Sequence, residues 1–389
     1  MKRSVKNTSI LRPWRFKLHR YWGIGLVLFG STMLTLILFI YMRNLDYSHL
    51  YHQFRTDASI RTSMIRDVMN ENYMDVTAVQ RFYYSSVMID RAEFREFINP
   101  LFQQTQRWNY GLAWSPWVKH SQRAEMEKEI SGLNQEIHSF WEYGPNRVKI
   151  PLPIKEFYLP IYYIEPMETR SELLGFDEAS DTLRLKSILA ARDSNRITAT
   201  ERINLAGSGI EQTGFLMCAP IYINNSDISS VKARQENFRG ILLGAFNFKN
   251  LVDLSIQATS SLELNTILYD RSAPKSRQFL YEWSPIRSMI MEKKDWMVND
   301  SMLTYIMDFQ FAERVYRIEI TASRFYVDQQ LSGNHYYILI LGLVLSLVMA
   351  AYIHNVYRHR LEAEAMVEDK VSQLKNAELR FHHSFGFQP

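Results

Sequence analysis

Two uncharged apolar runs bracket most of this chain, and they constrain it more than any other feature. Tyr21–Met42, YWGIGLVLFGSTMLTLILFIYM, carries no formal charge. At about 1.5 Å per residue it is long enough to cross a hydrocarbon core of about 30 Å. The second run, Tyr336–Ile353, reads YYILILGLVLSLVMAAYI, can be extended through Tyr357, and has tyrosines at both ends, which suits a membrane interface. The first run exceeds the apolar core of an ordinary signal peptide, and RNLDYSHLYHQF follows it where a small-residue cleavage site would stand, so an uncleaved anchor is expected.

Orientation follows from the basic residues. Lys2, Arg3, Lys6, Arg12, Arg15, Lys17 and Arg20 precede the first run with no acid among them, and Arg358 and Arg360 follow the second. Both ends are therefore expected in the cytoplasm, with residues 43–335 outside and the chain a multi-pass protein of a bacterial inner membrane. The net charge of +4 is mostly this N-terminal signal, so nucleic acid is not an expected partner and membrane lipid is. Cys218 is the one cysteine, so an intrachain disulfide is excluded and the outer segment must be held by its own core.

The outer segment reads as α+β. Residues 45–89 lack Gly and Pro, and Ile60, Met64 and Val68 recur every four positions, which predicts a long stalk helix over 43–89. A second helix, DRAEFREFINPLFQQTQ, is expected to bend or break before Pro100. YGLAWSPWV reads as a strand, SQRAEMEKEISGL as a helix and FYLPIYYIEP as a strand. DTLRLKSILAARDS is helical, GFLMCAPIYI is a buried strand, and the polar loop NNSDISSVKARQEN leads to the strand FRGILLGAFNF and the helix KNLVDLSIQATSS. LNTILYD and RVYRIEITA resume the strands, giving two sheet-forming regions at roughly 90–250 and 255–325.

Beyond the second run, RHRLEAEAMVEDKVSQLKNAELRF is a charged helix. Val367, Val371, Leu374 and Phe381 fall at a spacing compatible with a coiled-coil seam, and a solvated juxtamembrane helix fits equally.

Chemistry-bearing motifs are few. The sequence has no G-x-S-x-G and no phosphate-cradling glycine loop. Histidines such as His19, His52, His120 and His138 are scattered, and His382 and His383 are adjacent, so no i, i+4 metal-ligand pair is offered. Glu165 and Glu168 form an acid pair best explained as surface charge. No cofactor, no metal and no intrinsic enzymatic activity are expected. Asp177, after Gly-Phe, could cap a short helix; Asp181 is better placed to cap the helix containing Arg184, which leaves Asp177 to face inward and seek a donor.

AEFREFINPLFQQTQRWNYGLAWSPWV, YLPIYYIEPMETRSELLGFDEASDTLRLKSILAARDSNRITATERINL and GFLMCAPIY together resemble a CHASE domain. This is the extracytoplasmic sensor module of plant cytokinin receptors and many bacterial receptors. The similarity covers about residues 85–253 and rests on the ordered set of YIEP, GFD, a following Arg and a strand ending Pro-x-Tyr. It implies a stalk helix, a membrane-distal PAS-like domain over 90–253 that holds a small-molecule ligand, and a membrane-proximal PAS-like domain over 254–335, between membrane helices at 21–42 and 336–357.

The resemblance places Asp177 where the plant receptors' aspartate hydrogen-bonds the ligand's purine. It places the backbone of Ala199 and Thr200, and the strand positions Met217 and Cys218, in the same pocket. Cys218 stands where a hydroxyl residue is usual in plants, which puts cytokinin itself in doubt as the ligand. Tyr162, Tyr163 and Phe176 are open to core and pocket-wall roles, and Arg184 to a loop tie or a ligand contact. Cys218 in GFLMCAP also fits an inert packed thiol.

The ending AELRFHHSFGFQP resembles the opening of a cytoplasmic PAS domain, so residues 358–389 are expected to be a linker helix running into one. The resemblance implies a homodimeric receptor whose output, a histidine kinase or a cyclic-di-GMP enzyme, is absent from these residues. It thus implies a truncated or split receptor, or a fragment of a longer gene, that signals through a downstream cytoplasmic effector. The alternative is a membrane-tethered interaction protein whose outer segment binds a protein partner.

Overall fold

The computed structural model describes residues 14–86, 89–105, 111–133, 139–207, 212–257, 263–285, 303–331 and 333–384. Lys2, Arg3, Lys6, Arg12 and His138, and the FGFQP end of the PAS-like motif, lie outside them. The helices, in chain order, are α1 (Trp14–Ser85), α2 (Arg91–Thr105), α3 (Arg123–Leu133), α4 (Met167–Arg170), α5 (Thr182–Ser194), α6 (Val231–Glu236), α7 (Phe248–Gln257), α8 (Arg324–Gln330) and α9 (Asn334–Ser384). The strands are β1 (Gly111–Pro116), β2 (Val118–Lys119), β3 (Trp141–Tyr143), β4 (Lys149–Pro151), β5 (Phe157–Tyr158), β6 (Tyr163–Glu165), β7 (Thr198–Ala199), β8 (Ile203–Asn204), β9 (Thr213–Tyr222), β10 (Phe238–Asn247), β11 (Leu264–Asp270), β12 (Phe279–Trp283), β13 (Thr304–Phe311) and β14 (Arg314–Ala322).

The chain divides into two compact units, one of residues 1–50 with 330–389 and the other of residues 51–329. In the first unit, α1 and α9 each hold an apolar stretch long enough to cross a membrane, with most of its side chains open to the surroundings, Leu26, Phe29, Leu345 and Leu347 among them. They meet where Gly342 leaves room for Thr35, since a Cβ there would lie 2.3 Å from the Thr35 methyl. Further along, His335 Nδ1 and Asp46 Oδ2 are 2.8 Å apart. The charged end of α9, with Val367, Val371 and Leu374, is exposed.

The second unit is built on two main antiparallel sheets, with the two-stranded pairs β2-β5 and β3-β4 beside them. The larger runs β6-β1-β10-β9-β7 with β8 beside β9, and the smaller β12-β11-β14-β13. Long uninterrupted strands such as FLMCAPIY and ILLGAF suit a sheet covered on both faces. One face of the larger sheet packs on α1: Tyr83 lies 4.8 Å from Trp114 between ring centroids, and Gly244 leaves room for Val76. Further down, Arg61 of α1 is fully buried and donates to the Leu264 carbonyl at 2.7 Å, while the Tyr326 hydroxyl of α8 donates to Asp57 at 2.7 Å.

Three sequence expectations are corrected. The α1 helix forms, but its buried face is Phe54, Ala58, Arg61, Ile65, Met69, Asn72, Val76, Val79 and Tyr83, and Ile60 is exposed. Strict steps of four drift round a helix of 3.6 residues per turn, whereas alternating steps of three and four hold one face. The α2 helix continues through Pro100 to Thr105, so it is not broken there. Pro100 has no N–H to donate, so the helix gives up one internal hydrogen bond there. FYLPIYYIEP is two short strands, because Pro160 cannot donate to a ladder and residues 159–161 pair elsewhere.

Candidate functional site

On either side of β6, the chain from Leu159 to Asp177 folds back over the face of the larger sheet that α1 leaves uncovered, bringing Ile161 and Leu173 over the cavity. Gly175 makes this possible, with φ of +77°, a conformation that side chains resist. The segment after it is stitched on both sides. The Ile161 N–H donates to the Phe176 carbonyl at 2.9 Å, the Gly175 N–H to Ile161 at 2.8 Å, the Asp177 N–H to Trp141 at 3.0 Å and the Glu178 N–H to Leu159 at 3.0 Å. Every backbone group that this short covering loop buries has to be paired in some such way.

This stitching sets two adjacent carboxylates in opposite directions. Asp177 is wholly buried; its Oδ1 accepts from the Leu159 N–H at 2.8 Å and the Ala179 N–H at 3.2 Å, and its Oδ2 from Lys155 Nζ at 3.1 Å. Lys155 also donates to Glu142 at 3.1 Å. Burial alone would lower the Lys155 ammonium, but the Asp177 and Glu142 carboxylates outweigh it and hold the group above its ordinary range. Asp177 therefore joins β5, the loop and the Glu178–Ser180 turn, and its neighbour Asp181 caps α5 through Leu183 and Arg184, as the sequence predicts.

Glu178 points into the core instead, where it pairs with Arg184 Nη1 at 2.5 Å. Both side chains are 4% exposed. Arg184 Nη2 donates to the Asn204 carbonyl at 3.1 Å, and the guanidinium lies 5.1 Å from the Phe176 ring centroid. Its Nε–H has no hydrogen-bond partner among the described residues. Burial pushes the Glu178 carboxyl up against the opposing pull of Arg184.

Beside this pair is a cavity of about 30 Å³. Its floor is the sheet, through Ala113, Ile164, Leu216, Leu243 and Ala245, and its cover is Ile161, Leu173, Leu205 and Ala206. A space of that size exceeds the 10–15 Å³ that one water needs. Glu178 and Arg184 are the charged groups among its lining residues.

The structure divides the residues that the resemblance brought together. Phe176 and Arg184 meet each other, and Arg184 lines the cavity. Cys218 faces the same side of the sheet as Leu216 and Leu243, fully buried. Burial, and after it the Glu178 charge, raises its thiol well above the ordinary range, so it is a packed and unreactive group. Met217 points to the opposite face, as adjacent strand residues must, and Tyr163 lies on that face too, against Phe94 of α2. Ala199, paired with Met217, gives its N–H to the Ala312 carbonyl in the turn between β13 and β14 at 2.9 Å. Thr200 closes on the strand, its N–H donating to Leu216 O at 2.9 Å and its hydroxyl accepting from Leu216 N at 3.0 Å. The acid pair at Glu165 and Glu168 shares Arg95, and Glu165 is buried where a surface charge is expected. Glu178, which lines the cavity, does not stand out in the sequence: within DEASD it looks like one more helix-start acid.

The chain belongs to the CHASE domain family, whose model matches residues 87–281. It is 20% identical to the hybrid signal transduction histidine kinase A of Dictyostelium discoideum over 96% of this chain, and it spans 18% of that protein's length. Among solved structures it is similar to the periplasmic sensory domain of the Campylobacter jejuni chemoreceptor Tlp1, at 11% identity, covering 72% of this chain and 95% of that one with a TM-score of 0.39. The ligand-binding domain of the Pseudomonas aeruginosa amino acid chemoreceptor PctC in complex with GABA matches at 13% identity, 68% and 96% coverage and a TM-score of 0.36.

Proposed function

We propose that the chain is the sensing part of a transmembrane signal receptor, and that a small extracytoplasmic ligand enters the cavity beside Glu178 and Arg184. The observation that carries this reading is that cavity, apolar except for a single buried ion pair and roofed by a loop, in a CHASE family chain. Asp177 holds the roof in place through Leu159 and Lys155, Glu178 and Arg184 meet the ligand, and Phe176 backs the Arg184 guanidinium.

Membrane helices at 21–42 and 336–357 anchor residues 43–335 outside a bacterial inner membrane, with both termini inside. Two apolar helices with open side chains support this. Residues 43–89 are the stalk, 90–253 the membrane-distal and 254–335 the membrane-proximal PAS-like domain of a homodimer. The ligand biases one of two packings, and α9 hands that bias to a histidine kinase effector; the likeness to a histidine kinase supports this output over a cyclic-di-GMP enzyme. The bias requires unequal affinity for the two packings.

The test uses the full chain in lipid nanodiscs, incubated with pooled small-molecule fractions of culture medium. An active fraction should raise the unfolding midpoint of the wild type by several degrees and leave an Ala245→Val variant, whose added methyls fill the cavity, unmoved. A fraction that stabilises both equally would place its ligand elsewhere.

A further inference from the structure

We infer that the ligand is electrically neutral, compact, and carries one hydrogen-bond acceptor on an otherwise apolar body; this rests on the cavity being the ligand pocket. Three observations lead there. The first is charge balance. Arg184 and Glu178 form a 2.5 Å pair and are the charged side chains at the cavity wall. One positive and one negative group cancel, so a charged guest would be a third charge without a counter-ion in a desolvated site. That penalty is steep in a low-dielectric interior.

The second is an unused donor. Arg184 has five N–H bonds; Nη1 is directed to Glu178 and Nη2 to the Asn204 carbonyl, while its Nε–H has no partner among the described residues. A buried donor left unsatisfied is costly, and a guest carbonyl or hydroxyl oxygen would satisfy it. A guest ammonium would offer only donors beside it.

The third is size and lining. The remaining wall is aliphatic, from Ile161, Ile164, Leu173, Leu205, Leu216 and Leu243, and the volume of about 30 Å³ fits a guest of few heavy atoms. Small amides, ketones and alcohols share this chemistry.

Three near-isosteric probes separate the possibilities: propionamide, propionate and propylammonium. Each is titrated against the full chain in nanodiscs by ligand-observed saturation-transfer NMR. Propionamide is expected to bind at least tenfold more tightly than either charged probe, and Ala245→Val to abolish its signal. Ala113→Val serves as a second cavity-filling variant on the neighbouring strand. Propionate or propylammonium binding as tightly as propionamide, and lost in both variants, would overturn the neutral class while leaving the pocket in place. Propionamide binding that survives both variants would overturn the inference by locating the guest elsewhere. No binding by any of the three would overturn it as well; the culture-medium test then decides separately whether the cavity takes another guest.

Discussion

The two faces of the larger sheet solve the same burial problem differently. On one face, β1, β9 and β10 present Trp114, Phe215, Met217, Leu242 and Phe246 to α1 and its surroundings. Phe215 stacks on Phe246 and Phe248 at centroid distances of 5.4 and 5.3 Å, and Gly244 gives up its side chain to let α1 approach. A helix presents a regular ridge, so close packing is easily met. On the other face α5 packs on β9 through Ile188 and Ala191, but over the cavity the cover is loop, from Ile161, Leu173, Leu205 and Ala206; the floor there offers Ala113 and Ala245, and an ion pair replaces part of the hydrocarbon. Irregular cover leaves a void. The dry face is built for stability, and the loop-covered face trades some of it for space.

That contrast predicts a graded set of responses. The largest belongs to the dry face: Phe215→Ala should cost about 4 kcal/mol in denaturant unfolding, the usual range for a large aromatic deleted from a close-packed core. Equal tolerance of a large-to-small change on the two faces would break the comparison.

Next comes Arg184→Met, which strands the Glu178 carboxylate and should cost about 3 kcal/mol, with the double variant Arg184→Met/Glu178→Leu regaining most of it. Additive losses would show that the pair does not act as a unit.

Smaller still is Lys155→Met, which removes one donor from Asp177 and should cost about 1 kcal/mol near neutral pH. The sign of its pH dependence follows from the raised Lys155 value. The stabilisation is fully present below the ordinary value of 10.5 and is lost as pH rises through the higher folded value. The difference in unfolding midpoint between wild type and variant should therefore shrink above about pH 10.5. A constant difference would mean that Lys155 acts by packing alone.

The smallest stability effect is expected of Ala245→Val, neutral or stabilising by up to about 0.5 kcal/mol because the methyls enter existing space. A loss near that of Phe215→Ala would mean the space is not there.

Much of the second unit is legible in the sequence. Strands β9, β10, β11 and β14 and helix α5 show themselves by continuous apolar runs or a cap followed by a helical pattern. The β12 and β13 strands do not stand out: in TYIMDFQF only Phe311 is buried, so the alternation that marks a strand is faint. The six-residue α6 is too short to show a period and reads as part of a polar loop.

The site was legible only in part. GFD falls at a turn that needs Gly175 for its φ, and Arg184, singled out in the sequence, lies at the cavity wall. What sequence cannot give is direction. Whether Asp177 or Glu178 faces the cavity depends on hydrogen bonds to Leu159 and Trp141, which lie 18 and 36 residues earlier. Met217 and Cys218 are adjacent in the chain and opposed in space, a distinction that appears only once the register with Gly244 and Leu243 is known.

The most direct test of the central claim, that the loop-covered face keeps a space able to receive a guest, is xenon binding in pressurised crystals of the wild type and Ala245→Val. Xenon should occupy the wild-type cavity among Ala113, Leu216 and Ala245 and be absent there in the variant. A wild-type cavity that takes up no xenon, or a site unaffected by the valine, would contradict the account.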